Sequence, residues 1–377
     1  MKVTGLRVHL ASEWRPFLFI EVETDAGITG VGEAGLTSRE RAVEGALSHL
    51  APLVIGQSPF DTERLWQEMF RSGFFPAGTV QTAAIAAIDI ALWDIKAQAL
   101  RVPLYQLLGG AARDRVVTYA HVHGEGRAEL LDHASRLVDD GWRHLRFEPH
   151  HEKDGIFDPM LSVDHTLENW AALRDRTGPA IGIALDCHTR FDMPTALRLC
   201  RGAEAFAPLF IEDPFRSEMA EQYALLRQQT IVPLAAGEQF GSKWQFKPLI
   251  DAHSIDIARI DLTIAGGITE GLKIAAMCEA TGIDIALHNP IGPVATAAAL
   301  HFSLAISNMA VMELPRRPGE TMPDALPSTL AWVDGYLLKP EKPGLGVRLE
   351  REAMSNHPFI DQPMPRLKRH DGSFQNW

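Results

Sequence analysis

The sequence predicts an α/β protein in which a parallel barrel carries an α+β capping domain. The main observation is a stretch from Val116 to about Glu313 where short apolar segments alternate with helical patterns. The apolar segments read VVTYAHV, HLRFEP, IGIALD, APLFIE, VPLAAGE, IDIARID, IDIALH and AVMELP. Eight strands that alternate with helices over roughly 200 residues are typical of a parallel barrel. The residues on either side of this stretch follow different patterns.

The N-terminal region predicts a small antiparallel sheet followed by helices. A first strand near Val3 to Leu10 precedes FLFIEVET, the turn residues Asp25 to Gly27 and then ITGVGEAG, a pattern that indicates a hairpin. Of the helical patterns that follow, TVQTAAIAAIDIALWDIKAQAL is apolar on nearly every face, so we expect a buried core helix. The turn cluster Leu107 to Gly110 closes this region, and we place the capping domain at residues 1–112.

The rest of the chain divides at about residue 320. We place the barrel at residues 113–320. Residues 321–377 contain Pro323, Pro327, Pro340 and Pro343, which favour extended, turn-rich chain over another helix and strand. We expect this C-terminal segment to return and pack on the capping domain.

Composition excludes several classes of partner. The chain has 377 residues, with 36 Lys and Arg against 48 Asp and Glu, and its formal charge is −12. That excess of acids argues against binding to nucleic acid or to an anionic membrane surface. The three cysteines form no C-x-x-C pattern, and no targeting or membrane-spanning segment is recognisable, so we expect a cytoplasmic protein.

A polar residue follows each of the last six predicted strands. In a barrel these strand ends meet at one face, where active sites lie. A single acid in this place is usually a helix cap, but six in register, 23 to 27 residues apart, indicate a functional site. The six residues are Asp186, Glu212, Glu238, Asp261, His288 and Glu313.

The first three of these residues predict a metal site. If Asp186, Glu212 and Glu238 converge within roughly 4 Å, each pair repels by about 4 kcal/mol at an effective dielectric constant near 20. The cluster therefore requires a cation or protons. Three carboxylates without Cys or His suit a hard divalent ion, so we expect Mg²⁺, with Mn²⁺ able to substitute.

Two histidines are candidates for proton transfer. His288 ends a strand next to the one that ends at Asp261, so the carboxylate could orient the imidazole and raise its basicity. His188 lies two residues after Asp186, and alternation along a strand would turn both side chains to the same side. We therefore expect His188 to border the metal pocket.

These motifs together resemble the enolase superfamily, mandelate racemase subgroup, and within it the galactonate dehydratase-like acid-sugar dehydratases. The resemblance covers nearly the whole chain. It rests on AAIAAIDIALWDIKAQALRVPLYQLLGG at 83–110, the D-x-H of Asp186 and His188, IEDP at 211–214, AAGE at 235–238, DLTIAGGITEG at 261–271, LHNPIGPVATAAALH at 287–301, PGLGV at 343–347 and the final HDGSFQNW.

The resemblance implies a fold and a set of residue roles. The fold would be a modified (β/α)7β barrel under a cap built from both ends of the chain, in a homo-oligomer. One Mg²⁺ would be held by Asp186, Glu212 and Glu238. His288 with Asp261 would be the general base and His188 the general acid, and the substrate would be a sugar acid converted to a 2-keto-3-deoxy acid. Glu313 would donate or accept a hydrogen bond at the substrate carboxylate. Lid-loop residues that could set substrate fit are Trp14, Arg15, Phe74 and Phe75.

The sequence also departs from relatives of this kind. The second barrel strand has Arg146 and Glu148 where racemases carry a Lys-x-Lys base, so two-base racemisation is disfavoured and we expect Arg146 to bind the substrate anion. No tyrosine occurs between Tyr119 and Tyr223 to form the Arg–Tyr pair of mannonate dehydratases, and Gln239 replaces a common basic residue. A mannonate- or gluconate-type dehydratase, another lyase or isomerase of the superfamily, and an inactive sugar-acid-binding homologue remain alternatives.

Two other motifs are set aside. The glycines at 30, 32 and 35 fit a dinucleotide fingerprint, but the preceding strand belongs to an antiparallel hairpin rather than to a βαβ unit. His121 and His123 end the first barrel strand as in zinc hydrolases, yet the fifth and sixth strands end with Glu238 and Asp261 instead of histidine. We keep only His123 as a possible substrate-binding residue.

Overall fold

The computed structural model describes residues 1–150, 155–363 and 366–376 and begins with a three-stranded antiparallel sheet. The turn at residues 25–27 joins the second and third strands, so the predicted hairpin is confirmed. The strands are β1 (Val3–Ser12), β2 (Pro16–Thr24) and β3 (Thr29–Ala34), and the helices after them are α1 (Glu40–Val54), α2 (Thr62–Arg71), α3 (Thr79–Leu100) and the short α4 (Leu104–Leu107).

Eight parallel strands then close into a barrel because the last strand pairs with the first. The strands are β4 (Arg115–His121), β5 (His144–Phe147), β6 (Gly182–Asp186), β7 (Ile211–Glu212), β8 (Leu234–Ala236), β9 (Ile257–Ala258), β10 (Asp284–Leu287) and β11 (Met309–Glu313). The connecting helices are α5 (Arg127–Asp139), α6 (Pro159–Thr177), α7 (Met193–Ala203), α8 (Gln222–Arg227), α9 (Lys243–Asp251), α10 (Gly267–Glu279) and α11 (Pro293–Ala305). The expected (β/α)7β architecture is confirmed.

The interior of the barrel is filled by an apolar layer to which seven of the eight strand regions contribute. Its members are Tyr119, Ala184, Phe210, Ala235, Ile257, Ala286 and Val311. Because side chains alternate along a strand, the residue two positions later points to the same interior, one layer nearer the C-terminal ends. Those later positions include Asp186, Glu212 and Glu313. The apolar layer therefore closes the barrel floor directly beneath the polar one.

Helix α3 attaches the capping domain to the barrel. It is buried along most of its length, as the sequence predicts. Its two buried acids are tolerated because backbone N–H groups donate hydrogen bonds to them. Asp89 accepts a hydrogen bond from the backbone N–H of Thr269 (2.9 Å), at the start of α10. Asp94 accepts from the N–H groups of Val31 (3.1 Å) and Leu345 (2.9 Å). No helix within the described ranges is both long and apolar enough to cross a bilayer.

The C-terminal segment contacts both the barrel and the cap. Its first hairpin, β12 (Trp332–Val333) and β13 (Tyr336–Leu338), extends the barrel sheet by pairing antiparallel to β4. A middle part reaches the cap, where Arg351 Nε donates to Glu21 (2.7 Å). A second hairpin, β14 (Leu367–Lys368) and β15 (Phe374–Gln375), returns to the barrel. One part of the C-terminal segment thus packs on the cap, and its two hairpins pack on the barrel. The domain boundaries stay predictions.

Candidate active site

The polar residues predicted at the strand ends come together at the C-terminal face of the barrel. Asp186, Glu212 and Glu313 are the last residues of β6, β7 and β11, and His288 directly follows β10. Most of this layer is almost completely buried; the side chains of His288 and Glu238 retain 14% exposure each. The layer is therefore largely shielded from solvent.

Asp186, Glu212 and Glu238 form the carboxylate cluster that the spacing predicts. One oxygen from each lies within 4.8 Å of the others. Burial raises the pKa of Glu238 well above its ordinary value, and the charges of Asp186 and of the adjacent Asp213 raise it further. Burial also raises the pKa of Glu212, although the guanidinium of Arg259 opposes the shift. Bringing these groups together as anions is therefore costly unless positive charge is added.

The cluster fits a divalent cation. Among the described residues, one buried oxygen of Glu212 and one of Glu238, Oε2 in each case, have no hydrogen-bond donor. A buried carboxylate oxygen without a donor is unfavourable, and a hard cation is the partner that oxygen donors of this kind accept. The observed donor set is thus suited to Mg²⁺ or a similar ion.

Gly237 explains how Glu238 joins the cluster. Strand β8 ends at Ala236, and simple alternation from Ala235 would direct residue 237 rather than 238 into the barrel. Gly237 has φ of 131°, a conformation that favours glycine, and a side chain there would collide with the ring of Phe246. The chain turns at this glycine, and Glu238 faces inward as a result.

His288 and Asp261 form the expected pair. Nδ1 of His288 lies 2.7 Å from Oδ2 of Asp261. The other oxygen of Asp261 accepts hydrogen bonds from the N–H (2.7 Å) and the hydroxyl (2.6 Å) of Thr263, which hold the carboxylate in place. Nε2 of His288 lies 3.5 Å from Oε2 of Glu238. When the proton is on Nδ1 and donated to Asp261, Nε2 is an acceptor directed at the carboxylate cluster.

His188 borders the cluster on the side of Asp186. Its Nε2 lies 2.8 Å from Oδ2 of Asp186, and its Nδ1 lies 3.4 Å from Glu148. Burial alone would lower the pKa of His188, but the charges of Asp186 and Glu148 outweigh it and raise the pKa to about 9. The sequence analysis expects His188 beside the cluster because of alternation along a strand. In the structure β6 ends at Asp186, and His188 reaches the cluster from the turn that follows, with φ of 46°.

Arg146 contacts carboxylates of the protein itself. Its Nη1 donates to Glu148 (2.8 Å), and its Nη2 contacts Asp186. Nη2 also lies 2.9 Å from Nε2 of His188. The substrate-binding role that the sequence analysis expects for Arg146 stays a prediction, and the guanidinium here neutralises one member of the cluster.

Glu313 lies at the bottom of the site, and the sequence analysis does not predict its partners, His121 and Arg259. Its Oε1 lies 2.6 Å from Nε2 of His121, and its Oε2 accepts from Nη2 of Arg259 (2.7 Å) and from the N–H of Asn289 (3.0 Å). Burial would raise the pKa of Glu313, but Arg259, with His288, holds it well below the ordinary value. These partners favour the ionised carboxylate, and the role of Glu313 at the substrate carboxylate, as donor or acceptor, stays a prediction.

Arg259 is a second buried cation of the site, in addition to Arg146. It is fully buried, contacts Glu212 through Nε, and donates through Nη1 to the carbonyls of Ala286 and Leu287 (both 2.9 Å). The signal available in the sequence is alternation, because Arg259 lies two residues before Asp261 in the predicted strand IDIARID. His121 likewise lies two residues after Tyr119 of the apolar layer, but its pairing with His123 suggested a hydrolase motif that was set aside.

The remaining predicted residues lie at the rim. His123 is exposed beside an open groove of about 800 Å³, with its ring 5.8 Å from that of His121. Arg15 contacts the carbonyl of Pro290, two residues after His288, and Nε1 of Trp14 donates to the hydroxyl of Thr321 (3.2 Å). Arg15 thus connects the cap to a barrel loop, and Trp14 connects it to the start of the C-terminal segment.

The predicted lid residues Phe74 and Phe75 do not pack on the site. Their side chains are 96% and 81% exposed, and their rings stack edge to face 5.5 Å apart. Their role in substrate fit stays a prediction.

The chain matches known proteins over its full length. Residues 8–109 match the mandelate racemase / muconate lactonizing enzyme N-terminal domain, and residues 129–353 match the enolase C-terminal domain-like family. The chain is 38% identical to D-galactonate dehydratase of Ralstonia nicotianae and 39% identical to that of Xanthomonas campestris pv. campestris, over the full length of both chains in each case.

Solved structures agree with this comparison. An enolase from Agrobacterium radiobacter bound to Na and L-malate has a TM-score of 0.93 and 31% identity, with full coverage of both chains. An enolase from Pantoea ananatis with bound D-gluconate and Mg has a TM-score of 0.93 and 28% identity, covering 100% of this chain and 99% of that one.

The ion pairs of Arg259 generate a prediction about stability. Arg259→Met leaves Glu212 and Glu313 buried without their cation, and breaking a buried pair in this way costs roughly 3–5 kcal/mol of unfolding free energy. Arg259→Lys, which keeps the charge, should lose less. The matched control is Arg198→Met, since Arg198 pairs with Asp164 at the surface (2.5 Å) and such pairs contribute about 1 kcal/mol or less. Urea unfolding measures all three; equal losses for Arg259→Met and Arg198→Met would contradict the prediction.

Proposed function

Because the chain belongs to the mandelate racemase / muconate lactonizing enzyme family of the enolase superfamily, we propose that it is an acid-sugar dehydratase. The reaction removes the proton α to the carboxylate of an aldonate and eliminates the β-hydroxyl to give a 2-keto-3-deoxy acid. The observation that carries this proposal is the arrangement of two histidines about the carboxylate cluster, His288 next to Glu238 and His188 next to Asp186. The D-galactonate dehydratases at 38–39% identity support the same reaction.

Asp186, Glu212 and Glu238 are the residues that would hold one Mg²⁺, and Mn²⁺ suits the same oxygen donors. When bound, the ion supplies positive charge that stabilises the negative charge developing at the substrate carboxylate. The two Oε2 atoms without donors, on Glu212 and Glu238, support this assignment. The solved relative with D-gluconate and Mg supports it independently.

His288 is proposed as the general base. Its Nε2 is directed at the cluster, and Asp261, 2.7 Å from Nδ1, stabilises the imidazolium that forms when the α-proton is taken up. His188 is proposed as the general acid, because the charges that surround it favour the protonated form. The C–O bond at the β-carbon breaks as His188 protonates the departing hydroxyl, so water leaves. The resulting enol then tautomerises to the 2-keto acid.

Arg146, Arg15, Trp14 and His123 are proposed to contact the substrate, and Glu313 to accept hydrogen bonds near its carboxylate. Arg146 now neutralises Asp186, and its guanidinium becomes available to an anion once Asp186 has another positive partner. Arg15 reaches the loop that follows His288, so it lies close to the proposed base. His121 has a pKa lowered by burial and by the charge of Arg146. It therefore donates to Glu313 as a neutral imidazole.

A panel of aldonates and aldarates tests the proposed reaction. The purified protein with Mg²⁺ should form 2-keto-3-deoxy acid from at least one member, detected with semicarbazide, and D-galactonate and D-gluconate are the first substrates to assay because relatives carry these names or ligands. No product from the full panel, despite bound metal, would contradict the dehydratase proposal. Binding without turnover would instead favour a sugar-acid-binding protein.

The two histidines should have separable effects. His288→Asn should abolish both dehydration and exchange of the α-proton in deuterated water, because both need the base. His188→Asn should retain measurable exchange while dehydration falls roughly 10²–10⁴-fold, the range typical of general acid catalysis. His253→Asn is the control, since His253 is exposed in a turn with φ of 47°, which asparagine tolerates. Exchange that survives in His288→Asn would assign the base to another residue.

Metal affinity tests the carboxylate cluster. Glu238→Gln should weaken Mg²⁺ binding, measured by calorimetry, by at least roughly tenfold, since loss of a residue that merely orients a ligand already costs roughly 10–100-fold. Glu270→Gln is the matched control, because Glu270 is also fully buried but binds Lys243 (2.9 Å) outside the cluster. Equal affinity in wild type and Glu238→Gln would refute the ligand assignment.

A further inference from the structure

We propose that Gln375 and Asn376, near the C-terminal end of the chain, are positioning residues for His188. They would do so by holding the turn between β6 and α7, residues 187–191, in the shape that directs the imidazole at the site. The inference rests on the proposed function, in which His188 protonates the leaving hydroxyl.

The turn that carries His188 has a strained backbone. His188 and Thr189 have φ of 46° and 59°, two consecutive residues with side chains in the left-handed region. Such residues normally avoid this region because the Cβ approaches the following carbonyl. A conformation of this kind persists only where the surroundings determine it, and it is frequent at functional sites. The contacts that hold the turn therefore decide where the His188 ring lies.

The N–H groups of the turn are bound by neighbouring parts of the barrel. The N–H of His188 donates to Oδ1 of Asp186 (2.9 Å). The N–H of Thr189 donates to the carbonyl of Asp213 (2.7 Å), and the N–H of Phe191 donates to the carbonyl of Pro214 (3.1 Å). These backbone N–H groups are thus bound without the C-terminal segment.

Two carbonyls of the same turn are bound by the C-terminal hairpin instead. Nδ2 of Asn376 donates to the carbonyl of Thr189 (3.3 Å), and Nε2 of Gln375 donates to the carbonyl of Arg190 (3.1 Å). Thr189 and Arg190 are both buried. Because buried carbonyls need donors, loss of these two side-chain amides would favour a different shape of the turn.

The hairpin fixes the direction of the Gln375 amide. Nε of Arg369, on the facing side of the hairpin, donates to Oε1 of Gln375 (3.2 Å), which leaves Nε2 directed at the carbonyl of Arg190. The hairpin is itself anchored to the loop before α6, where Lys368 exchanges backbone hydrogen bonds with Gly155 (3.0 Å) and Phe157 (2.9 Å). The Gln375 amide is therefore oriented by Arg369 within the hairpin, and the hairpin is held in place by the loop before α6.

The proposed base has no such dependence. His288 is oriented by Asp261, and within the described residues neither side chain forms a hydrogen bond or ion pair with the hairpin. Loosening the turn at residues 187–191 should therefore impair protonation of the leaving group and spare abstraction of the α-proton. A loss of stability spread over the whole protein would impair both.

The experiment compares three reactions in the Gln375→Ala/Asn376→Ala double variant. The first is α-proton exchange in deuterated water, and the second is dehydration of the best substrate from the panel. The third is loss of fluoride from the 3-deoxy-3-fluoro analogue of that substrate. In this reaction the α-proton passes to His288 and fluoride leaves with the C–F bonding electrons. No general acid is therefore needed. Dehydration should fall by about tenfold or more, within the range of general acid catalysis, while exchange and fluoride loss stay within about threefold of wild type.

Two further variants keep the experiment decisive. Gln375→Glu keeps the shape and the acceptor for Arg369 while removing the donor, and it replaces the double variant if that variant does not fold. Gln229→Ala is the matched control, since Gln229 also donates to a backbone carbonyl, that of Leu225 (3.4 Å), but at an exposed position. Equal losses in all three reactions, or no loss in dehydration, would overturn the inference.

Hydrogen–deuterium exchange measured by mass spectrometry tests the structural step without turnover. Amides of residues 187–191 should exchange faster in Gln375→Glu than in wild type, whereas amides of 286–292, around His288, should not change. Unaltered exchange in 187–191 would overturn the inference whatever the activity. If the wild-type protein neither exchanges nor dehydrates any sugar acid, the proposed function fails, and the amide measurement still decides whether the hairpin holds the turn.

Discussion

Buried carboxylates and the positive charges that neutralise them determine how this molecule is built. Asp186, Glu212, Glu238 and Glu313 lie in one layer of the barrel, where mutual repulsion is not screened by solvent. Arg259 supplies positive charge from below, to Glu212 and Glu313. Arg146 and His188 supply it to Asp186 from one side. Among the described residues, Glu238 forms no ion pair with an Arg or Lys and lies 3.5 Å from the His288 imidazole, and this imbalance makes the cluster suited to a bound cation.

Buried carboxylates are stabilised in a different way where the cap contacts the barrel. Asp89 and Glu33 are fully buried carboxylates whose main partners are backbone N–H groups at the starts of helices α10 and α11, including Thr269 for Asp89 and Ala295 (2.8 Å) for Glu33. Burial raises the pKa of Asp89 to about 7 and that of Glu33 to about 8, although these hydrogen bonds oppose the shift. Helix N-termini carry partial positive charge, so they substitute for a full cation. The cap is thereby attached to the two helices that flank the His288 loop.

The net charge of −12 means that an anionic substrate is not attracted by the protein as a whole. Recognition must instead come from local positive groups within the site. Arg146, Arg15 and a cation held by the cluster are the candidates. Arg146 pairs with Asp186, and the charge of Arg15 interacts with those of Glu33 and Asp261. In the proposed reaction, the groups that balance the buried acids are therefore also the groups available to a sugar acid.

Features that depend on local pattern are predictable from the amino-acid order alone. Hydrophobic alternation identified all eight barrel strands and the buried helix α3, and the strand ends identified the residues that converge, from Asp186 to Glu313. Partnerships across the barrel could not be predicted in this way. Arg259 bridges Glu212 and Glu313, and Glu238 turns inward at Gly237, only because closure of the barrel and one glycine conformation bring them there. The hydrogen bond from Gln375 to Arg190 in the His188 turn joins residues 185 positions apart, and periodicity in the sequence cannot predict a contact over that separation. Such contacts arise on folding, because they depend on strand register and on how the C-terminal segment packs.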